Sequence, residues 1–238
     1  MTLTAALLDP ILKSNPARPL ITFYDDATGE RIELSGVTTA NWAAKTANML
    51  RDECDVETGT PVAVMLPAHW QTAAVLLGAW WCGAHVVADP ADAEWILTDS
   101  DRLDLALAAA PSGGVVALSL DAFGKGLTGL PDGVIDYATE VRTHGDEFVP
   151  WEPVPDTAPA LGDLSVAAAT AAALRRAGEL DITATDRVLS MADWATLDGV
   201  VDGLLSVLAI GSSLVQCRNP DMGKMIARAA AEKCTRRL

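Results

Sequence analysis

The chain has little of what marks several large functional classes. Of its 238 residues only three are histidine and four are cysteine, and Cys54, Cys82, Cys217 and Cys234 are widely spaced with no CxxC pair. That spacing excludes a zinc or disulfide framework and predicts reduced thiols at mostly core positions. No two of His69, His85 and His144 share helical or strand spacing with each other or with a cysteine, so no metal is expected. Positive charge is also scarce. Seventeen Lys and Arg stand against 32 Asp and Glu, and the net −15 repels nucleic acid, polyphosphates and anionic lipid head groups. Residues 1–16, MTLTAALLDPILKSNP, have no basic segment and meet Pro10 early, so no signal peptide is expected. The longest apolar stretch, AAVLLGAWWCGAHVVA, falls short of the ~18–20 residues that span a bilayer. A cytoplasmic protein with neither membrane nor nucleic-acid partners is expected. No serine stands in a GxSxG context, and GKG at 124–126 is too short for a phosphate loop, which argues against hydrolase and P-loop chemistry.

What is present suits a large core. Half the residues are hydrophobic and 21% are charged, enough for one α/β domain over residues 1–238. LITFYD and ERIELS flank the turn residues DATG, so a β-hairpin is predicted within residues 18–36. A helix follows, capped at Thr38 or Thr39 and carrying Trp42, Ala43, Thr46, Ala47, Met49 and Leu50 at helical spacing. PVAVML reads as a buried strand, the stretch from Thr72 to Cys82 as a buried helix stopped by Gly83, and HVVADP as a strand. That order is a βαβ unit of a parallel sheet. DAEWILTDS reads as a short helix, and LDLALAAA and GGVVALSL as strands. Residues 121–164 form a long connection rich in Gly, Pro and Asp. Helical periodicity resumes from Leu164 to about Ala177, and RVLSMA, LDGVVDGLLSVLAIG, SSLVQC and DMGKMIARAAAEKC repeat the strand, helix, strand, helix order. The expected architecture is a doubly wound, mostly parallel sheet of six to eight strands with helices on both faces, a three-layer α/β/α arrangement.

GTPVAVMLPAHWQTAAVLLGAWWCGAHVVADP resembles the early core of the adenylate-forming superfamily, which includes acyl-CoA synthetases, peptide-synthetase adenylation domains and luciferases. Gly59, Val62, Ala63, Leu66 and Pro67 match that family's GDxVAVxLPN-like strand, and Gly83, Ala84, Val86, Asp89 and Pro90 its GAxxVPLDP-like strand. DAEWILTDS is similar to its ELxYILxDS helix, and LDITATDRVLSMADWATLDGVVDGLLSVLAIGSSLVQC to its DRVL-containing run. The resemblance implies a TSGTTGxPKG-like loop holding ATP phosphates just before the helix that leads to DRVL. Such a loop needs glycines and a lysine so that the main chain can approach the anion. Here the stretch is ALGDLSVAAATAAALRR, with Gly162 alone, Ser165 isolated and no lysine between Lys125 and Lys224. The family's adenine, ribose and catalytic-lysine segments follow the region matched by SSLVQC. No catalytic residue, and no cofactor, carries over.

The candidate cleft residues are therefore few. His69, after the strand-ending Pro67, and Trp70 stand at the carboxyl end of one strand, and Asp193 and Trp194 at the end of another, where open α/β sheets bind ligands. His69 reads either as ligand-facing or as a cap, His85 as a hydrogen-bonded core residue and His144 as exposed. Asp198 and Asp202, four apart, read as helix-terminal acids rather than a catalytic pair. The expected function is a non-catalytic binding, scaffolding or regulatory module with an unknown protein or small-molecule partner. The alternative is an enzyme or binder that reuses the cleft for a nucleotide, CoA or acyl-type ligand. A homodimer is expected, because LDGVVDGLLSVLAIG and the final strand and helix would expose apolar surface where the family places its remaining half.

Overall fold

The computed structural model describes residues 1–238. Its elements, in chain order, begin with α1 (Leu3–Ser14), β1 (Pro19–Asp25), β2 (Glu30–Ser35), α2 (Gly36–Glu53), β3 (Pro61–Met65), α3 (Trp70–Trp81) and β4 (His85–Val87). The middle holds β5 (Trp95–Asp99), α4 (Leu103–Ala108), β6 (Gly114–Leu118), β7 (Ile135–Asp136), α5 (Tyr137–Glu140), β8 (Pro159–Leu161), β9 (Leu164–Ser165) and α6 (Val166–Glu179). Then come β10 (Arg187–Ser190), α7 (Leu197–Val200), a π-helical turn (Val201–Leu205), α8 (Ser206–Ala209), β11 (Ser213–Arg218), α9 (Met225–Ala231) and β12 (Arg236–Arg237).

The strands divide between two sheets, ordered β12-β10-β11-β1-β2 and β7-β6-β5-β3-β4-β8-β9. Pairing is parallel except within the β1–β2 and β8–β9 pairs. The α/β class, the mostly parallel pairing and the amino-terminal hairpin are as read from sequence, but one sheet of six to eight strands is replaced by two. Alternation explains how both are covered. Ile21, Leu214 and Val188 share one face of the five-stranded sheet and join the main core, to which α1, α2, α3, α6 and the seven-stranded sheet also contribute. Leu189, Val215 and Cys217 face the other way and meet Met225 and Ala229 of α9. On the seven-stranded sheet Ala63, Ile96 and Val115 turn outward beneath Ala106 of α4. Helices thus lie between the sheets and on both outer faces. None is long and apolar enough to cross a membrane.

Several local expectations are corrected. DAEWILTDS is a short turn of 3-10 helix followed by strand β5, not a helix: Trp95, Ile96, Leu97 and Thr98 are all buried in a central position between β3 and β6. LDLALAAA is helix α4, not a strand, because its outward leucines Leu105 and Leu107 remain exposed and only Ala106 is buried. The helix after the hairpin is capped by the Ser35 hydroxyl, three or four residues earlier than expected. The connection at 121–164 holds more than one short element, namely β7, α5, β8 and the start of β9. Val200, Leu204, Leu205, Val207 and Leu208 are buried against α1 and α6, so the LDGVVDGLLSVLAIG segment does not supply the exposed surface that the dimer argument used.

A charged seam closes α9 over the sheet. Glu232, nearly buried just beyond α9, accepts hydrogen bonds from Tyr24, Arg187 (2.6 Å) and Arg31 (2.9 Å). Burial opposes its ionised form, but the bonds from Tyr24, Arg187 and Arg31 outweigh it and hold the carboxyl down at about 2, against an ordinary 4.5. A depressed carboxyl stabilises the fold above its unfolded value and ceases to do so as pH falls through the folded one. Wild-type protein should therefore lose stability between about pH 4.5 and 2 more steeply than Glu232→Gln, measured by urea denaturation across that window. Parallel curves for the two proteins would remove Glu232 from the account.

Candidate functional site

The carboxyl ends of β1, β3, β10 and β11 meet along one seam between the sheets. After β3, Pro67 accepts from the Thr72 hydroxyl at 2.7 Å, and the following residues turn into α3 with His69 as its cap: Nδ1 accepts from the amide of Gln71 at 3.1 Å. The cap role is the one taken. The imidazole lies edge-on to Phe23 of β1, with ring centroids 4.4 Å apart, and its Nε2 is 3.6 Å from Glu30 Oε1. Burial lowers the ring's pKa, and the nearby Glu30 carboxylate only partly offsets it. Trp70 is buried too, donating to Glu30 at 3.3 Å and meeting Trp42 edge-on at 5.5 Å.

Phe23 stands in register with Gln216 of β11, and Gln216 with Ser190 of β10. Gln216 donates to the carbonyl of Ala192 at 2.9 Å, and the Ser190 hydroxyl accepts from the Ala192 amide at 3.1 Å. This holds the turn that carries Asp193 and Trp194. Asp193 is exposed and caps the amide of Trp194 at 2.7 Å, while Trp194 is buried over Gly203. A Cβ on Gly203 would lie 2.6 Å from Trp194 Nε1, so only glycine fits beneath the indole. Neither Trp70 nor Trp194 offers an open ring face for stacking. Sequence reasoning missed Glu30 and Gln216, which carry no motif and come to the seam only through strand register.

Three polar atoms along this seam, His69 Nε2, Trp194 Nε1 and Gln216 Oε1, are buried without a hydrogen-bond partner in the chain. Each such atom costs about 1–3 kcal/mol, so a small polar group reaching them would be rewarded. The room is small. The cavity beside Trp194, walled by Val64, Leu76, Val86 and Leu197, is about 40 Å³, against the roughly 300–1,000 Å³ of typical ligand pockets.

The stretch at 158–176 has its own geometry. β8 and β9 form a tight antiparallel pair turning at Gly162, whose φ of +52° suits glycine. The Gly162 amide donates to Val86 O at 2.9 Å and its carbonyl binds His85 Nε2 at 2.7 Å, which fulfils the expectation of a hydrogen-bonded His85. Leu197 covers the turn, its Cδ1 only 2.7 Å from where a Cβ would sit. The first amides of α6 are taken as well: Val166 donates to Ala158 O at 2.9 Å, Ala167 to Asp156 O at 3.0 Å and Ala168 to the Ser165 hydroxyl at 3.3 Å. The amides that a phosphate would need are thus already bonded.

Elsewhere, a cleft of about 340 Å³ opens between Arg51, Cys82, Phe148 and Trp151. The Arg51 guanidinium lies 5.0 Å from both ring centroids, and its donors are taken by Asp52, Asn48 and Val149 O. Burial pushes the Cys82 thiol up to about 12, so it is no nucleophile. Asp198 lies in the first turn of α7, where the helix dipole favours it, and Asp202 is held by Arg176 at 2.8 Å, so the two do not form a pair. His144 is not exposed, its side chain being 9% accessible.

No known family model matches the sequence. A protein of Mycobacterium tuberculosis described as a TIGR03089 family protein is 53% identical over 239 residues, covering 99% of this chain and 97% of that one. Among solved structures, the Brucella canis acyl-CoA synthetase superposes with a TM-score of 0.81 at 17% identity, over 100% of this chain and 47% of its own. The anthranilate CoA ligase AuaEII, solved with anthranoyl-AMP, gives 0.76 at 13% identity, over 100% and 49%. The chain therefore has the fold of these enzymes and spans about half the length of the solved structures it matches.

Proposed function

We propose, from the premise that the chain belongs to the TIGR03089 family, that it is a non-catalytic member of the adenylate-forming fold acting as a binding or scaffolding module. The observation that carries this reading is the closed Gly162 turn. Where the fold's resemblance leads one to look for a phosphate loop, the backbone donors are bonded within the chain and Leu197 covers the turn. No lysine lies between Lys125 and Lys224 to balance phosphate charge, and the net charge of −15 opposes a polyanion. The experiment is a thermal-shift panel of ATP, an acyl-CoA and free fatty acids. ATP should leave the melting temperature unchanged, and stabilisation that grows with ATP concentration would defeat the reading.

The second reading, a small-molecule binder, is favoured by the three unpartnered atoms of the seam. In the same assay, extended to small polar acids and amides, it predicts stabilisation by one of them that is lost in Gln216→Leu. Self-association belongs to the first reading. Met222 and Ile226, near the start of α9, are 65% and 73% exposed, and burial of such side chains contributes roughly 25 cal/mol per Å² before association costs. Sedimentation velocity at micromolar concentration should give a homodimer that Ile226→Glu returns to a 24.9 kDa monomer. A wild-type monomer at that concentration would end the dimer proposal.

A further inference from the structure

Glu53 ends α2, and the end of α5 with the turn after it brings Glu140 and His144 against it, so that one ligand atom from each lies within 4.8 Å of the others. We propose that Glu53, Glu140 and His144 form a binding site for a first-row divalent transition-metal cation. Carboxylates alone would carry no such claim, but the imidazole does. The His144 side chain is 9% exposed, its Nε2 has no hydrogen-bond partner, and that atom faces Glu140 Oε1 at 4.0 Å. On the opposite side of the ring, Nδ1 lies 3.9 Å from Asp52 Oδ2. Asp52 is itself fixed by two hydrogen bonds from Arg51, at 2.6 and 3.0 Å. A histidine that ligates a metal usually turns its other ring nitrogen to such a carboxylate, which orients the ring and raises its basicity.

The backbone around the histidine is pinned to the helix. Lys45 donates to His144 O at 2.6 Å, and Asn48 donates to Gly145 O at 3.2 Å and Glu147 O at 2.9 Å. Neither Lys45 nor Arg51 neutralises the site, since they pair with Asp146 and Asp52. Glu53 also sits at the carboxyl end of an 18-residue helix, where the dipole favours a cation. Metal bonds of about 2.0–2.2 Å would require the ligand atoms to draw in by roughly 1 Å. The exposed side chain of Glu53 and the partly exposed one of Glu140 allow that movement. One imidazole nitrogen with two carboxylates suits zinc or manganese better than magnesium or calcium, which favour all-oxygen sets. Cys54 follows Glu53 but is buried, and its sulfur is not among the converging atoms, so the donor set is nitrogen and oxygen. The bound ion would clip residues 140–147 to the end of α2.

The test is calorimetric titration of Zn²⁺, Mn²⁺ and Mg²⁺ into the full chain after chelator treatment, with Co²⁺ as a visible-absorption probe. One Zn²⁺ or Mn²⁺ per chain should bind in preference to Mg²⁺, with the Co²⁺ complex free of a thiolate charge-transfer band. Glu53→Gln, at an exposed position that cannot unfold the chain, and His144→Gln should each weaken binding by about tenfold or more. No binding to the wild type, binding retained within twofold in both variants, or a thiolate band would each overturn the site. In those cases His144 would simply be a packed neighbour of Glu140 and Asp52, or the cysteines would be the ligands.

Discussion

Asp26→Ala should destabilise the protein by about 3–5 kcal/mol, the range found when one partner of a buried ion pair is removed. Arg228 reaches Asp26 through two hydrogen bonds of 2.9 and 2.7 Å, and the side chains are only 8% and 10% exposed. The bonds from Arg228 come first among the influences that hold the Asp26 carboxyl far below its usual range, and burial works against them. Without the carboxylate, the guanidinium keeps the ring of Tyr24 at 4.2 Å and weak contacts to Cys217 and Met225 sulfur. None of these replaces a charge. The double replacement Asp26→Leu with Arg228→Met should recover most of the loss, because a packed apolar pair needs no desolvated charge. Urea denaturation of the single and double variants decides: equal losses in both would mean that the pair is not what holds α9 to the sheet.

Gly78→Val should cost about 3 kcal/mol, the upper end of what overpacking usually costs. Gly78 lies where α3 crosses α2, and a Cβ there would meet Thr46 Cβ at 2.5 Å and Ala43 O at 2.9 Å. Thr46 cannot swing away freely, since its hydroxyl donates to Trp42 O at 2.8 Å and is bonded to the Tyr137 hydroxyl at 2.7 Å. The crossing forces either the helices apart or Tyr137 off its partner, and Tyr137 is fully buried. Gly78→Ala should lose less, offset in part by the roughly 1 kcal/mol that alanine gains over glycine inside a helix. A valine variant as stable as the wild type would show that the helices are not in contact at this point.

Gly78 also shows where sequence reading stops. Its helix was legible from an apolar run ended by Gly83, whose φ of +91° makes it a true stop, yet nothing in the run shows which neighbour requires a glycine. The hairpin was legible because DATG fixes a tight turn between two β-rich runs, and Gly29 indeed takes φ +78°. β5 and α4 were exchanged in character. Periodicity cannot separate a short buried strand from a helix, and Leu103, Leu105 and Leu107 alternate by chance on a helix whose outer face stays exposed. The division into two sheets was not legible either, since parallel strands carry no signal of which sheet they join. At the candidate seam, His69, Trp70 and Trp194 were placed by their positions after strands, as was exposed Asp193. Glu30 and Gln216 join them through register alone. His144 was misread because TEVRTHGDE is polar in sequence, while the fold lays it against α2. For the same reason a spacing rule finds no metal donors there: Glu53 and Glu140 are far apart in the chain.

The central proposal is that the turn at Gly162, with the amides of Gly162, Val166, Ala167 and Ala168 bonded within the chain and Leu197 over it, does not take nucleotide phosphates. Acyl-adenylate formation needs oriented phosphates and a cation to stabilise the developing charge, and under this proposal the turn supplies neither. ATP–pyrophosphate exchange with a panel of aromatic, short-chain and long-chain carboxylic acids measures this directly. The account predicts exchange no higher than in a control without protein for every acid. Exchange above that control with any of them would contradict it.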